Sequence, residues 1–235
     1  MTEHYLSLAG AGYQLSAILH QGTATTGVLL IVGGPQYRVG SHRQFVKLSR
    51  YLATMGIPSM RLDTAGMGDS SGSKAAFYQQ TADIELAIDA FFQQCPHLTQ
   101  VVLWGLCDAA SAILIKLNRP DSRIGGVILL NPWVRQQQSH AKAMLKHYYL
   151  KRLLSRQFWH KALSGSLALR RSVGSFWQTL RASKTHADAT PAQLTVTEQN
   201  YVAAMLSGWQ QFNGKVLLIS SGNDLTAQEF LQLCA

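Results

Sequence analysis

Acidic residues are scarce in this chain, and its middle has none. Twelve Asp and Glu stand against twenty-one Lys and Arg, a formal net charge of +9. From Ser122 to Ala187 no acid occurs, while Arg135, Lys142, Lys146, Lys151, Arg152, Arg156, Lys161, Arg170, Arg171, Arg181 and Lys184 all fall there. Such a field favours anionic partners: acidic substrates, a membrane surface, nucleic acid or an acidic protein. It equally describes a solvated, soluble face. Nucleic acid is the poorest of these fits, because no nucleic-acid-binding motif accompanies the charge.

Long apolar runs are missing too. None approaches the roughly 18 residues of a membrane span. The start, "MTEHYLSLAGAGY", lacks a basic segment followed by an apolar core, so no secretory signal is expected. Cysteine is rare: Cys95, Cys107 and Cys234 form an odd, widely spaced set. That argues against a disulfide framework and for reduced thiols in the cytoplasm. No CxxC or clustered His/Cys spacing points to zinc. Neither a metal nor a cofactor is expected.

What is present suits one globular domain with an inserted subdomain. The 235 residues are 47% hydrophobic, ample for a sizeable core. "HYLSLAG" and "YQLSAILH" alternate weakly around Gly10 and Gly12 and read as an antiparallel hairpin. A repeating order follows. "TGVLLIVGG" is a strand, "SHRQFVKLSRYLATMG" a helix ending at Gly56, "IPSMRLD" a strand and "DSSGS" a loop. "TADIELAIDAFFQQC" is an amphipathic helix, "QVVLWGL" a strand, "CDAASAILIKLN" a helix and "IGGVILLNPW" a strand. Further on, "GKVLLISSG" is a strand and "TAQEFLQL" a helix. Apolar strands alternating with helices imply an α/β fold with a mostly parallel, doubly wound sheet covered on both faces. Sites in such sheets sit at the carboxyl ends of the strands. Residues 134–212 break the alternation with Lys, Arg, Leu, Tyr and Trp at helical spacing. They read as a helical cap inserted into a core of residues 1–133 and 213–235.

Gly105-Leu106-Cys107-Asp108-Ala109 fits the strand–turn–helix nucleophile turn G-x-S-x-G, with Cys for Ser and Ala for the last Gly. A nucleophile on a strained turn needs small neighbours so that strand and helix can approach, and Ala109, Ala110 and Ala112 supply them. The start of a helix would lower the thiol pKa and stabilise an oxyanion. The bland alternative is a packed turn cysteine, since free Cys is often buried. In "VGGPQYR" a Gly-Gly turn ends a core strand, where Gly34, and alternatively Gln36, is an oxyanion-donor candidate. An ordinary glycine turn remains the alternative. The Asp108 amide is the second donor candidate. Asp224 follows the last recognisable strand, where an acid can orient a catalytic His. It can equally cap the helix that follows. Asp63 and Asp69 read as loop-ordering residues.

A histidine base should follow the acid in chain order. None of the eleven residues after Asp224 is His. His140, His147 and His160 fall in the cap, where surface placement is the commoner role. The simpler expectation is that the chain stops before a last strand and a His-bearing loop.

Taken together, "GGPQYRVGSHRQFVKLSRYLA", "GIPSMRLDTAGMGDSSG", "LWGLCDAASAIL", "LLNPWVR", "KHYYLKRL" and "SGNDLTAQEF" resemble the exosortase A system-associated hydrolase 1 family of the α/β-hydrolase superfamily. The resemblance runs over almost the whole chain. It implies an α/β-hydrolase fold and an acyl hydrolase or transferase tied to exopolysaccharide and protein-sorting systems. Cys107 takes the nucleophile position and Asp224 the acid position. The family's terminal "DHTFS"-like loop is absent, and Ala65 stands where the superfamily's D-x-R-G-x-G-x-S loop usually has Arg.

Two functions follow. In the first, a Cys107 thiolate attacks an ester or thioester of a small, anionic acyl substrate. In the second, a catalytically silent hydrolase scaffold binds an anionic partner or a membrane surface. The basic, aromatic-studded stretch Lys142–Leu163 would make that contact, or would serve as a lid over an acyl pocket.

Overall fold

Strand β3 (Thr26–Ile31) shows how the sheet is built. Its alternate residues feed two separate cores. Leu29 and Ile31 join Leu103 and Leu129 on one face, while Val28 and Leu30 join Phe45 and Trp104 on the other. A strand with no polar face must be covered twice, and burying each such side chain contributes roughly 1.5–3 kcal/mol. The computed structural model describes residues 3–34, 36–134 and 195–234. The chain divides into two units, Met1–Val134 with Thr195–Ala235, and Arg135–Leu194.

Strands β1 (Glu3–Ala9) and β2 (Gln14–His20) form the expected hairpin, with Glu3 opposite His20 and Ala9 opposite Gln14. With β4 (Ser59–Leu62), β5 (Gln100–Leu106), β6 (Ile124–Leu130) and β7 (Lys215–Ile219), the described sheet has the order β1-β2-β4-β3-β5-β6-β7. β2 runs antiparallel to both neighbours, and from β4 to β7 every pairing is parallel. β7 is an edge strand among the described residues, and its Val216, Leu217 and Ile219 are exposed.

Helix α1 (Gln44–Thr54) covers the smaller core, where Phe45 meets Trp104 edge to face at 5.0 Å. Gly56, with φ 73°, takes the left-handed turn that follows this helix. Helices α2 (Thr81–Gln94), α3 (Asp108–Lys116) and α4 (Tyr201–Gln211) bury Ile84, Ile113 and Met205 in the larger core. Helix α5 (Leu225–Cys234) follows β7. Helix α4 lies in the range 134–212 that the sequence assigns to a cap, yet it packs on α3. Asn118 donates to the Ala204 carbonyl at 2.6 Å, and a Cβ at Gly208 would stand 1.9 Å from the Leu114 carbonyl oxygen. The basic stretch Lys142–Leu163 and the histidines at 140, 147 and 160 lie outside the described residues. No helix among the described residues is long and apolar enough to cross a membrane.

Candidate active site

Cys107 sits between β5 and α3 with φ 59° and ψ −122°. A non-glycine residue there costs on the order of 1–3 kcal/mol, so surrounding contacts must hold it. Several do. The Cys107 amide donates to the Leu130 carbonyl at 2.8 Å, and its own carbonyl accepts from the Trp133 amide at 3.2 Å. The neighbours are small for a visible reason. A Cβ at Gly105 would lie 2.8 Å from the Ala109 carbonyl carbon and the Ala110 nitrogen. Ala109, Ala110 and Ala112 are buried where α3 meets the strand. Cys107 itself is partly exposed.

The electrostatics correct one expectation. The thiol pKa is raised, first by burial and then by the Asp108 carboxylate, with a further push from Asp224. The Asp108 amide hydrogen bond opposes this but is outweighed. The lowering expected from the helix start is therefore overturned by desolvation and a negative neighbour.

The oxyanion donors need a second correction. Gly34 has a left-handed backbone, φ 65°, as a glycine turn allows. Its amide, however, donates to Oδ2 of Asp108 at 2.9 Å. The first expected donor is thus already engaged by a carboxylate from the start of α3. The sequence reading used Asp108 only for its amide and missed what its side chain does. The other oxygen, Oδ1, is buried without a hydrogen-bond partner. It lies over Gly33, where a Cβ would come within 1.9 Å of it. Gln36 also has a buried, unpartnered oxygen, Oε1.

Asp224 does what the bland alternative asked. Its Oδ1 accepts from the amides of Thr226 at 2.8 Å and Ala227 at 3.4 Å, capping α5. Its Oδ2 accepts from Asn131 Nδ2 at 3.2 Å. Asn131, at φ 43° just after β6, also takes the Ser221 amide at 2.8 Å and donates to Ser221 Oγ at 2.9 Å. This asparagine ties β6 to the β7–α5 turn and sets where Asp224 stands. Its positive φ and triple bonding were invisible in "LLNPW".

No described histidine acts on the thiol; the charged groups that do are Asp108 and Asp224. His4, His42 and His97 are exposed, while His20 is buried against Arg61 with Nε2 3.2 Å from a guanidinium nitrogen. Among the described residues no group of His, Cys, Asp and Glu could hold a metal.

Beside Asp108 opens a cleft of about 210 Å³, at the carboxyl ends of β3 and β4. Val32, Gly34, Lys74, Phe77, Gln80 and Asp108 are among its walls; Cys107 is not. In the loop after β4, Asp63 Oδ2 accepts the Asp69 amide at 3.1 Å, the local side-chain-to-backbone bonding expected of such a residue. The partner supplying the order is Arg38, which ion-pairs with both and also donates its amide to Asp63. Ala65 is buried, and its amide donates to Asp83 Oδ2 at 2.8 Å.

No protein-family model matches the chain, and no curated protein matches its sequence. Solved structures do. The esterase Pf2001 of Pyrococcus furiosus superposes with a TM-score of 0.64 at 13% identity, covering 99% of this chain and 76% of that one. The α/β hydrolase GrgF from Penicillium sp. sh18 gives 0.61 at 15% identity, over 100% and 86%. A putative hydrolase from Agrobacterium vitis S4 gives 0.51 at 10% identity, over 100% and 99%. With the strand order and the turn after β5, this likeness assigns the chain the α/β-hydrolase fold.

Proposed function

We propose that this chain is an acyl hydrolase or transferase whose nucleophile is Cys107. On this reading it works in the cytoplasm, in the exosortase-linked exopolysaccharide setting of the family its motifs resemble. The observation that carries the reading is the strained backbone of Cys107. A merely packed cysteine needs no such conformation, whereas a nucleophile on a tight turn does.

The sulfur attacks an ester or thioester carbonyl as a thiolate, the thiol proton having passed to solvent water, since no described histidine acts on it. A carbon–sulfur bond forms and the carbonyl oxygen takes the negative charge. The Asp108 amide, at the start of α3, faces that charge. Collapse breaks the bond to the leaving alkoxide or thiolate, which is protonated. Water or an acceptor hydroxyl then releases the acyl group from sulfur. For Gly34 to act as second donor, the Asp108 carboxylate must leave its amide. Activated ester with intact-mass detection tests the reading. An acyl adduct that maps to Cys107 and vanishes in Cys107→Ala is the expected result. No adduct, or one that survives the substitution, overturns it.

The bond between Asp108 and Gly34, with the raised thiol pKa, favours one second reading: a silent scaffold that binds an anionic partner or a membrane through Lys142–Leu163. Salt-sensitive sedimentation with anionic vesicles, lost when Lys146, Lys151 and Arg152 are neutralised, would support it. Vesicle binding indifferent to those changes would remove it.

A further inference from the structure

We infer that Asn213-Gly214 is a self-modifying site, at which the Gly214 amide converts Asn213 to aspartyl and isoaspartyl residues and loosens β7. An asparagine cyclises when the amide nitrogen of the next residue reaches its side-chain carbonyl carbon. The chain holds five asparagines, at 118, 131, 200, 213 and 223, and all but one are obstructed. Pro132 follows Asn131 and has no N–H to lose. The Arg119 amide is held by the Lys116 carbonyl at 2.9 Å, while Asn118 itself donates to Ala204. The Tyr201 amide is held by the Thr197 carbonyl at 3.0 Å, and Asn200 Oδ1 accepts from the Thr197 amide at 2.6 Å. After Asn223, the Asp224 amide leans on the Ser221 carbonyl at 3.5 Å and belongs to a residue whose side chain caps α5.

Asn213 differs on every count. It and Gly214 are exposed, in the link between α4 and β7. The Gly214 amide donates to no acceptor among the described residues. Glycine carries no Cβ to keep that nitrogen from the asparagine side chain. The leaving group is loosely tied, since Asn213 Nδ2 reaches only the Gln211 carbonyl, at 3.4 Å. Packing also keeps glycine in place, because a Cβ there would lie 2.3 Å from Phe212 Cζ and 2.9 Å from the Gly125 carbonyl oxygen. The fold therefore demands the residue that makes its neighbour reactive.

The reaction needs only water. Hydroxide removes the Gly214 amide proton and the nitrogen attacks Cγ of Asn213. A nitrogen–carbon bond forms and the Cγ–Nδ2 bond breaks. Nδ2 leaves as ammonia with a proton from water, which restores the hydroxide. Water then opens the cyclic imide at either carbonyl, giving an aspartyl or an isoaspartyl link. Either product lowers the formal net charge by one from +9. The isoaspartyl link also adds one backbone atom just before β7, whose register with β6 starts with Lys215 opposite Gly126.

The site stands apart from the acyl reaction, and its test needs no turnover. The full chain is aged at neutral and at mildly alkaline pH, digested, and mapped by mass spectrometry with isoaspartyl methyltransferase labelling. Isoaspartate should appear at 213 before any other asparagine reacts, and faster at the higher pH. Asn213→Gln, whose side chain is one methylene too long for the same ring, should abolish it. Label absent from 213, or appearing first at 223, overturns the inference. So does a folded chain that reacts much more slowly at 213 than the urea-unfolded chain, because the fold would then be shielding the amide. The amides of β7 should exchange hydrogen faster in the aged chain than in Asn213→Asp, which has the charge without the extra atom. Equal exchange overturns the loosening.

Discussion

Oδ2 of Asp108 accepts the amide hydrogen of Gly34 at 2.9 Å, across 74 residues of sequence. The same carboxylate pushes the Cys107 thiol pKa upward. One side chain therefore occupies an expected oxyanion donor and restrains the expected nucleophile. Its position depends on Gly33, since a Cβ there would overlap Oδ1 at 1.9 Å and crowd the Ala109 nitrogen at 2.7 Å.

Removing that carboxylate should release both restraints. In Asp108→Ala the thiol pKa falls, because the second-largest cause of its elevation is gone while the backbone amide remains. Iodoacetamide alkylation of Cys107 at neutral pH should accelerate several-fold, and its pH midpoint should move down. An unchanged midpoint would show that the Asp108 charge does not act on the thiol.

Asn131→Ala removes the bonds to Ser221 and Asp224 at once. The expected loss is about 1 kcal/mol of stability, read from urea unfolding, because the bond to Asp224 is partly buried while those to Ser221 are exposed to water.

Tyr13 donates to Asp83 Oδ1 at 2.7 Å, and this bond, then burial, then the charge of Asp83 push its pKa up to about 12. Ultraviolet titration should show one tyrosine ionising that late, and Asp83→Asn should return it toward the ordinary value. A pKa raised in the folded state means the phenol's contribution is complete below about pH 10 and lost as pH rises through 12. Tyr13→Phe should cost about 1 kcal/mol at neutral pH.

His20 behaves in the opposite sense. Burial, then the Arg61 guanidinium, holds its pKa below the ordinary value. Its contribution is therefore present above about pH 6.5 and lost as pH falls through the lowered folded value. Unfolding between pH 7 and pH 4 should show a smaller loss of stability in His20→Gln than in the unsubstituted chain. Equal slopes would mean the carboxylates carry all of the acid sensitivity.

The apolar run Thr26–Ile31, the helix Thr81–Gln94 and the small residues around Cys107 were readable because each is a local pattern with a local cause. Period, turn chemistry and side-chain size act within a few residues. The same locality explains why Asp63 and Asp69 were legible as loop formers while their guanidinium partner, Arg38, was not. Asp224 was legible as a cap, and only the tertiary structure adds that its other oxygen meets Asn131, 93 residues away in sequence.

By itself, then, the sequence determined the alternation of strand and helix and the turn that lifts Cys107, because steric and hydrophobic periodicity are written residue by residue. Only the tertiary structure decided that the carboxylate of Asp108 answers the Gly34 amide. Which polar atoms find partners depends on the strand order that brings β3, β4 and α3 side by side, and no local pattern encodes that order.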